Sequence, residues 1–169
     1  YLWYSFGKNQ GRRPGHSFLP TLSALGGRVV KIIGLTGGIA SGKSTVTSLL
    51  RQHNLPVLDA DAIAWELAQP DRPLWQAYVN RYGEKVLLSN RQLNRQAVAD
   101  IVFSQPEEKK WMDSMAHPII KAEIQSQLAV LRHQGAKAAV LDVPLLYEAG
   151  WNSMADEVWL VYVNKENQL

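Results

Sequence analysis

The sequence predicts an α/β fold in which a mainly parallel sheet lies between layers of helices. Three observations predict it. Short apolar runs alternate with segments of helical period, a glycine-rich turn joins the first apolar run to the first helical segment, and two apolar runs end in acidic residues. This alternation is typical of three-layer α/β domains. We count four strands, at residues 29–36, 55–59, 138–142 and 157–163.

The turn after the first strand has the spacing G-x-x-x-x-G-K-S of a phosphate-binding loop. Glycines let successive backbone N–H groups turn toward phosphate oxygens, and the following helix directs its positive end at the same anion. We expect Lys43 to reach the outer phosphates of a nucleotide and Ser44 to hold Mg²⁺. The alternative is a strand-to-helix turn without a ligand. The expected nucleotide-binding residues are Gly37, Gly38, Ile39, Ala40, Ser41, Gly42, Lys43, Ser44 and Thr45.

Length and composition limit the classes of protein. A chain of 169 residues fits one domain with a real core. It has no cysteine, which excludes disulfides and thiolate chemistry. No apolar run approaches the roughly 20 residues that span a bilayer, so we expect a soluble protein, cytoplasmic because no export signal is convincing.

The net charge of +3 belongs to the amino-terminal part of the chain. Residues 1–30 contain four basic and no acidic residues, so the remainder carries −1. The domain therefore offers no electrostatic basis for nucleic-acid binding. Residues 1–28 show no sustained period, and we expect a disordered or non-native extension there, followed by the domain at 29–169.

Two carboxylates follow the second strand. If the strand continued that far, period two would put Asp59 and Asp61 on the same side of it. Ligands of open α/β sheets bind at the carboxyl ends of the strands, so we expect at least one functional carboxylate and favour Asp61. The alternative is that one of them caps a helix beginning at Ala62.

The middle of the chain has helical period over residues 74–82, 93–103 and 106–132, which predicts a lobe beside the nucleotide. Pro118 is expected to kink or divide the last of these helices. The third strand ends in Asp142, for which two interpretations stand equally. It is either a second carboxylate on the Mg²⁺ side or the last polar residue of a buried strand.

Taken together, these residues resemble the dephospho-CoA kinase family from about residue 30 to the end of the chain. The motifs together are highly specific, whereas the phosphate loop alone would be generic. The segments that carry the resemblance are 33–45, 57–61, 93–95, 102–103, 117–120 and 144–148.

The resemblance implies a three-layer P-loop NTPase/kinase fold with a helical acceptor-side lobe. It implies a phosphotransferase with an alcohol acceptor, which moves the γ-phosphoryl group of ATP to the ribose 3′-hydroxyl of dephospho-CoA. Asp61 matches the catalytic carboxylate, which also orients the acceptor and contacts Mg²⁺ through water, and Lys43 is the second catalytic residue. The matching acceptor-side residues are Asp61, Arg95, His117, Pro144, Leu145 and Glu148. For His117 alone, a structural role at a helix boundary is the commoner one.

Two departures from the family pattern stand out. Members commonly have Arg where this chain has Trp65. Members also continue past the last strand with a helix, an Arg-bearing lid, and a final strand and helix, so we expect a C-terminally truncated and poorly active chain. The alternatives are another small-molecule or nucleotide kinase and a nucleotide-binding fragment without catalysis.

Overall fold

The computed structural model describes residues 30–38 and 41–162. The expected extension at 1–28 lies outside the described residues, as do Ile39 and Ala40 of the phosphate loop.

Over the described residues the sheet has four parallel strands, as the sequence predicts. Apolar, often β-branched residues form each of them, and the two middle strands are buried on both faces. The spatial order is β2-β3-β1-β4. The strands are β1 (Lys31–Gly37), β2 (Val57–Asp59), β3 (Ala138–Asp142) and β4 (Glu157–Val161).

Helices cover both faces of the sheet, as expected for three layers. Helix α1 (Lys43–Gln52) covers the face on which Ile33 and Leu35 are buried. The other face supports the larger core, in which Tyr78 is fully buried. The helices on that side are α2 (Ala60–Leu67), α3 (Pro73–Tyr82), α4 (Arg95–Ser104) and α5 (Pro106–His133). The last three correspond to the helical segments predicted for the lobe.

Pro118 does not divide α5, which runs without interruption from Pro106 to His133. Of the two expectations for Pro118, a kink or a division of the helix, the division is therefore wrong. Met112 before the proline and Ile120 after it are both buried in the same core, and this packing holds the two halves together. A proline removes only one backbone donor and crowds one carbonyl, which tertiary packing can outweigh.

No helix within the described ranges is both long enough and apolar enough to cross a bilayer.

Candidate active site

The phosphate loop lies between the carboxyl end of β1 and the amino end of α1. Gly42 caps α1 with φ of +82°, a left-handed conformation that other residues adopt at a cost. Its carbonyl accepts hydrogen bonds from the backbone N–H groups of Thr45 and Val46 at 2.9 and 3.2 Å. A Cβ on Gly37 would lie 2.7 Å from Ser41 Oγ and 2.9 Å from the Val161 carbonyl oxygen. Both glycines are therefore required by the path of the chain.

The loop has polar groups suited to an anion. Ser41 is only 3% exposed, and its hydroxyl has no hydrogen-bond partner in the described part of the chain. An unpaired buried hydroxyl costs free energy unless a ligand satisfies it. Gly38, Ser44 and Thr45 are exposed, and a Cβ on Gly38 would meet nothing within 4 Å. The described residues of the loop thus leave space for the phosphate groups of a nucleotide next to Gly38 and Ser41.

Lys43 is held by the carboxylate at the end of β3. Its Nζ donates to Asp142 Oδ1, and Thr47 Oγ1 donates to Asp142 Oδ2 at 2.7 Å. Asp142 is only 4% exposed, and these two donors compensate the cost of burying its carboxylate. The interaction fixes the loop lysine against the sheet, at the edge where the loop turns.

Asp59 is the N-cap residue of α2, so of the two acids it is the one with the predicted alternative role of capping a helix. Its Oδ1 accepts from the backbone N–H groups of Asp61 at 3.0 Å and Ala62 at 3.1 Å. The helix consequently begins at Ala60, and the expected start at Ala62 is wrong. The strand ends at Asp59, and Asp61 lies in the first turn of the helix. The alternation of side chains along a strand therefore does not determine the direction of Asp61.

Asp61 is the unusual carboxyl group of the site. Its Oδ1 is buried and has no hydrogen-bond partner among the described residues. Burial, with the negative charge of Asp59 beside it, raises the pKa of Asp61 to about 7, although Lys43 opposes the rise. A carboxyl with a pKa near neutrality is suited to accepting a proton from a substrate.

The acceptor-side residues predicted from the resemblance lie in two places. The segment after β3 is tied to β1, because Val143 N–H donates to the Leu35 carbonyl at 3.0 Å and Thr36 Oγ1 to the Pro144 carbonyl at 2.9 Å. Leu145 is half-buried and Glu148 exposed in the same segment. These contacts put the segment at the sheet edge that carries the phosphate loop.

The other two predicted residues belong to the helical lobe. Arg95 is the first residue of α4, and burial lowers its pKa from the ordinary value. The His117 ring packs edge-on against buried Trp151, with centroids 5.7 Å apart, as a structural histidine does.

Sequence reasoning missed Thr47, the second donor to Asp142. A signal for it existed, because Thr47 lies four residues after Lys43 and such residues share one helix face. The burial of Ser41 left no such signal in the sequence, and in the structure its hydroxyl lies 2.7 Å from where a Cβ on Gly37 would be.

A parallel sheet, a phosphate loop after its first strand and acidic residues after two others define a phosphate-loop kinase fold. Comparison with known proteins then gives the family. The dephospho-CoA kinase family profile matches residues 31–169. The chain belongs to the dephospho-CoA kinase family.

Curated relatives agree with this assignment. A dephospho-CoA kinase of Symbiobacterium thermophilum is 46% identical over 139 residues, which are 82% of this chain and 58% of that protein. A dephospho-CoA kinase of Streptococcus pneumoniae is 44% identical over 142 residues, 82% of this chain and 69% of that protein. The chain thus spans 58–69% of the length of these two relatives.

Solved structures show the same fold. The crystal structure of TT1252 from Thermus thermophilus matches with a TM-score of 0.69 at 35% identity, covering 82% of this chain and 69% of that one. A dephospho-CoA kinase from Campylobacter jejuni matches with a TM-score of 0.63 at 24% identity, over 76% of this chain and 64% of that one. At this lower identity the second structure supports the fold alone.

Proposed function

We propose that this chain transfers the γ-phosphoryl group of ATP to the ribose 3′-hydroxyl of dephospho-CoA, giving CoA and ADP. The observation that carries the proposal is Asp61, whose buried carboxyl oxygen has no partner among the described residues and shares a sheet edge with the phosphate loop. Family membership supports the choice of acceptor.

The phosphate loop would hold the nucleotide. Backbone N–H groups at the start of α1 would bind the phosphates, and the ammonium group of Lys43 would move from Asp142 to their outer oxygens. Ser41 would gain a partner for its buried hydroxyl. Phosphoryl transfer passes through a loose transition state, so alignment and neutralisation of charge make up most of the catalytic work.

The residues present also fit Mg²⁺. The ion would supply positive charge to the phosphates. It would be bound directly by the Ser44 hydroxyl and through a water molecule by the carboxylate of Asp61. No group of three or more His, Cys, Asp or Glu side chains within residues 30–38 and 41–162 is arranged for a metal. Kinase sites do not need such a group, because Mg²⁺ is bound there by one or two carboxylates together with the phosphates.

Asp61 would act on the acceptor. Its free carboxylate oxygen would accept a hydrogen bond from the 3′-hydroxyl and orient that oxygen toward the γ-phosphorus. As the new O–P bond forms, the bond to the bridging oxygen breaks, ADP leaves, and the hydroxyl proton passes to Asp61. A pKa of about 7 lets the carboxyl release this proton again near neutral pH.

Residues beside this centre would bind the rest of the acceptor. On this proposal the segment after β3 contributes Pro144, Leu145 and Glu148, and the helical lobe contributes Arg95 and His117. A cytoplasmic location also stays a prediction, which fractionation of the cells that make the protein tests.

The test is release of ADP from ATP and Mg²⁺ with dephospho-CoA, compared with adenosine, AMP or water as acceptor. Single-turnover conditions, with the chain in excess, detect slow transfer. We expect release with dephospho-CoA alone. Release with adenosine or AMP instead would support the alternative of another small-molecule kinase, and release with none would contradict catalysis by this chain.

Asp61→Asn tests the assigned base. We expect kcat to fall by about 10²–10⁴-fold while the affinity for ATP changes little, because the substitution removes the proton acceptor and keeps the shape. Asp113→Asn is the matched control, since Asp113 is a carboxylate of α5 that pairs with Lys109 at 3.6 Å. Full activity of Asp61→Asn would exclude the role.

A further inference from the structure

Trp65 is a large aromatic side chain that the core of the protein does not use. It lies on α2, whose buried face consists of Ala60, Ile63, Ala64 and Leu67. Trp65 is 42% exposed, and its indole N–H donates to no group in the described part of the chain. Its backbone carbonyl, by contrast, is occupied by Ala68 N–H and Gln69 Nε2. The indole ring is therefore available to a ligand.

The position of Trp65 relates it to Asp61. The two residues are four apart on one helix, so their Cβ atoms are about 5–6 Å apart on the same side. Helical side chains lean toward the amino end of their helix, and the indole consequently leans toward the turn that carries Asp61. An exposed aromatic face thus lies next to the proposed proton acceptor.

The chemistry of the acceptor supplies a partner for this face. If Asp61 binds the 3′-hydroxyl, the base on C1′ of the same ribose lies within about one helical turn of that hydroxyl. A purine presents a flat π-face, and stacking on an aromatic side chain is its usual contact in proteins. The base of ATP is a poorer candidate, since a triphosphate and a ribose separate it from the γ-phosphate.

We propose that Trp65 stacks on the purine base of the acceptor and is a specificity-determining residue of this chain. The inference rests on the proposed function, because that function places the acceptor ribose at Asp61. The inference extends that function by assigning recognition of the purine base to the indole ring of Trp65.

Calorimetry with Trp65→Ala tests the stacking contact. We expect the dissociation constant for dephospho-CoA, measured with Mg²⁺ and a non-hydrolysable ATP analogue, to rise by about 10- to 100-fold. Trp65→Phe keeps an aromatic ring and should retain most of the affinity. The affinity for the ATP analogue should not change in either variant, and alanine is a good helix former, so α2 should persist.

Two controls separate stacking from a general effect. Trp159→Ala removes a tryptophan of similar exposure, 38%, from β4 at the other end of the sheet, and it should leave acceptor binding unchanged. An analogue that keeps the ribose and the pantetheine arm but lacks the base should bind the parent and Trp65→Ala equally. Unequal binding of that analogue would contradict stacking.

The outcomes distinguish this inference from the proposed function. Equal affinity of the parent and Trp65→Ala for dephospho-CoA, with phosphoryl transfer intact, overturns the stacking contact and leaves the function standing. Failure of the parent to bind dephospho-CoA overturns both. A shifted pH–rate profile of Trp65→Ala with unchanged acceptor affinity would show that the indole only covers Asp61, and that also overturns the proposal.

Discussion

At the scale of single residues, Asp59 and Asp61 show how two neighbouring carboxylates acquire different roles. Asp59 accepts two backbone N–H groups and caps α2. Asp61, two residues later, has a buried oxygen to which no described residue donates, and its pKa is raised to about 7. The sequence predicts both acids at the correct sheet edge. It does not predict which one caps the helix, because that depends on where the helix begins.

The raised pKa of Asp61 makes the stability of the fold depend on pH. The unfolded chain binds fewer protons than the folded one between the ordinary pKa of 3.8 and the folded value of about 7. The free energy of unfolding therefore falls as pH rises through this window, and the loss is complete above pH 7. A carboxyl with a lowered pKa would have the opposite effect.

Asp61→Asn should remove this destabilisation. We expect the variant to be more stable than the parent by about 2–4 kcal/mol at pH 8, with little difference at pH 3.5. Urea unfolding at several pH values measures it. Asp113→Asn, which changes a partly exposed carboxylate of α5, is the matched control. A stability difference for Asp61→Asn that is the same at every pH would contradict the raised pKa.

At the scale of elements, the four strands were predicted within a few residues, because each is a short apolar run bounded by polar residues or glycine. The sequence also predicted the helices of the lobe. It was harder to predict that α5 continues as one helix past Pro118. A proline predicts an interruption locally, whereas the buried residues on either side of Pro118 belong to one continuous core.

Pro118→Ala should stabilise the protein. Alanine restores the missing backbone donor and relieves the crowding in the preceding turn, and Pro118 is exposed, so no packing is lost. We expect a gain of about 1–3 kcal/mol in the free energy of unfolding, measured by chemical denaturation. Pro106→Ala is the control, since Pro106 lies at the start of α5, where proline is well tolerated. No gain at position 118 would mean that the turn is not strained.

At the scale of the whole molecule, nucleotide binding should stabilise the fold by mass action. We expect Mg²⁺ and ATP at about 100 times the dissociation constant to add about 2.7 kcal/mol, or about 5–10 °C in Tm. Lys43→Ala should abolish this nucleotide-dependent increment. Lys109→Ala, which removes an exposed lysine of α5, should keep it. Thermal unfolding with and without nucleotide measures both, and an increment that survives Lys43→Ala would contradict the role of the loop lysine.

Local patterns predicted the phosphate loop and the carboxyl-edge location of the site, because both follow from short segments. The strand order and the contact between Lys43 and Asp142 could not be predicted in the same way. These two residues are 99 positions apart, and only the pairing of β1 with β3 brings them together.

The contact between Lys43 and Asp142 also means that the loop carries its own counterion. With its ammonium group neutralised by a buried carboxylate, the loop has little need of a phosphate to balance its charge during folding. A nucleotide that binds must then compete with Asp142 for Lys43. The affinity for the nucleotide would therefore include the free energy of breaking the contact between Lys43 and Asp142. Under the proposed function, the same carboxylate would take the lysine back as ADP departs, which would favour turnover over tight retention of the product.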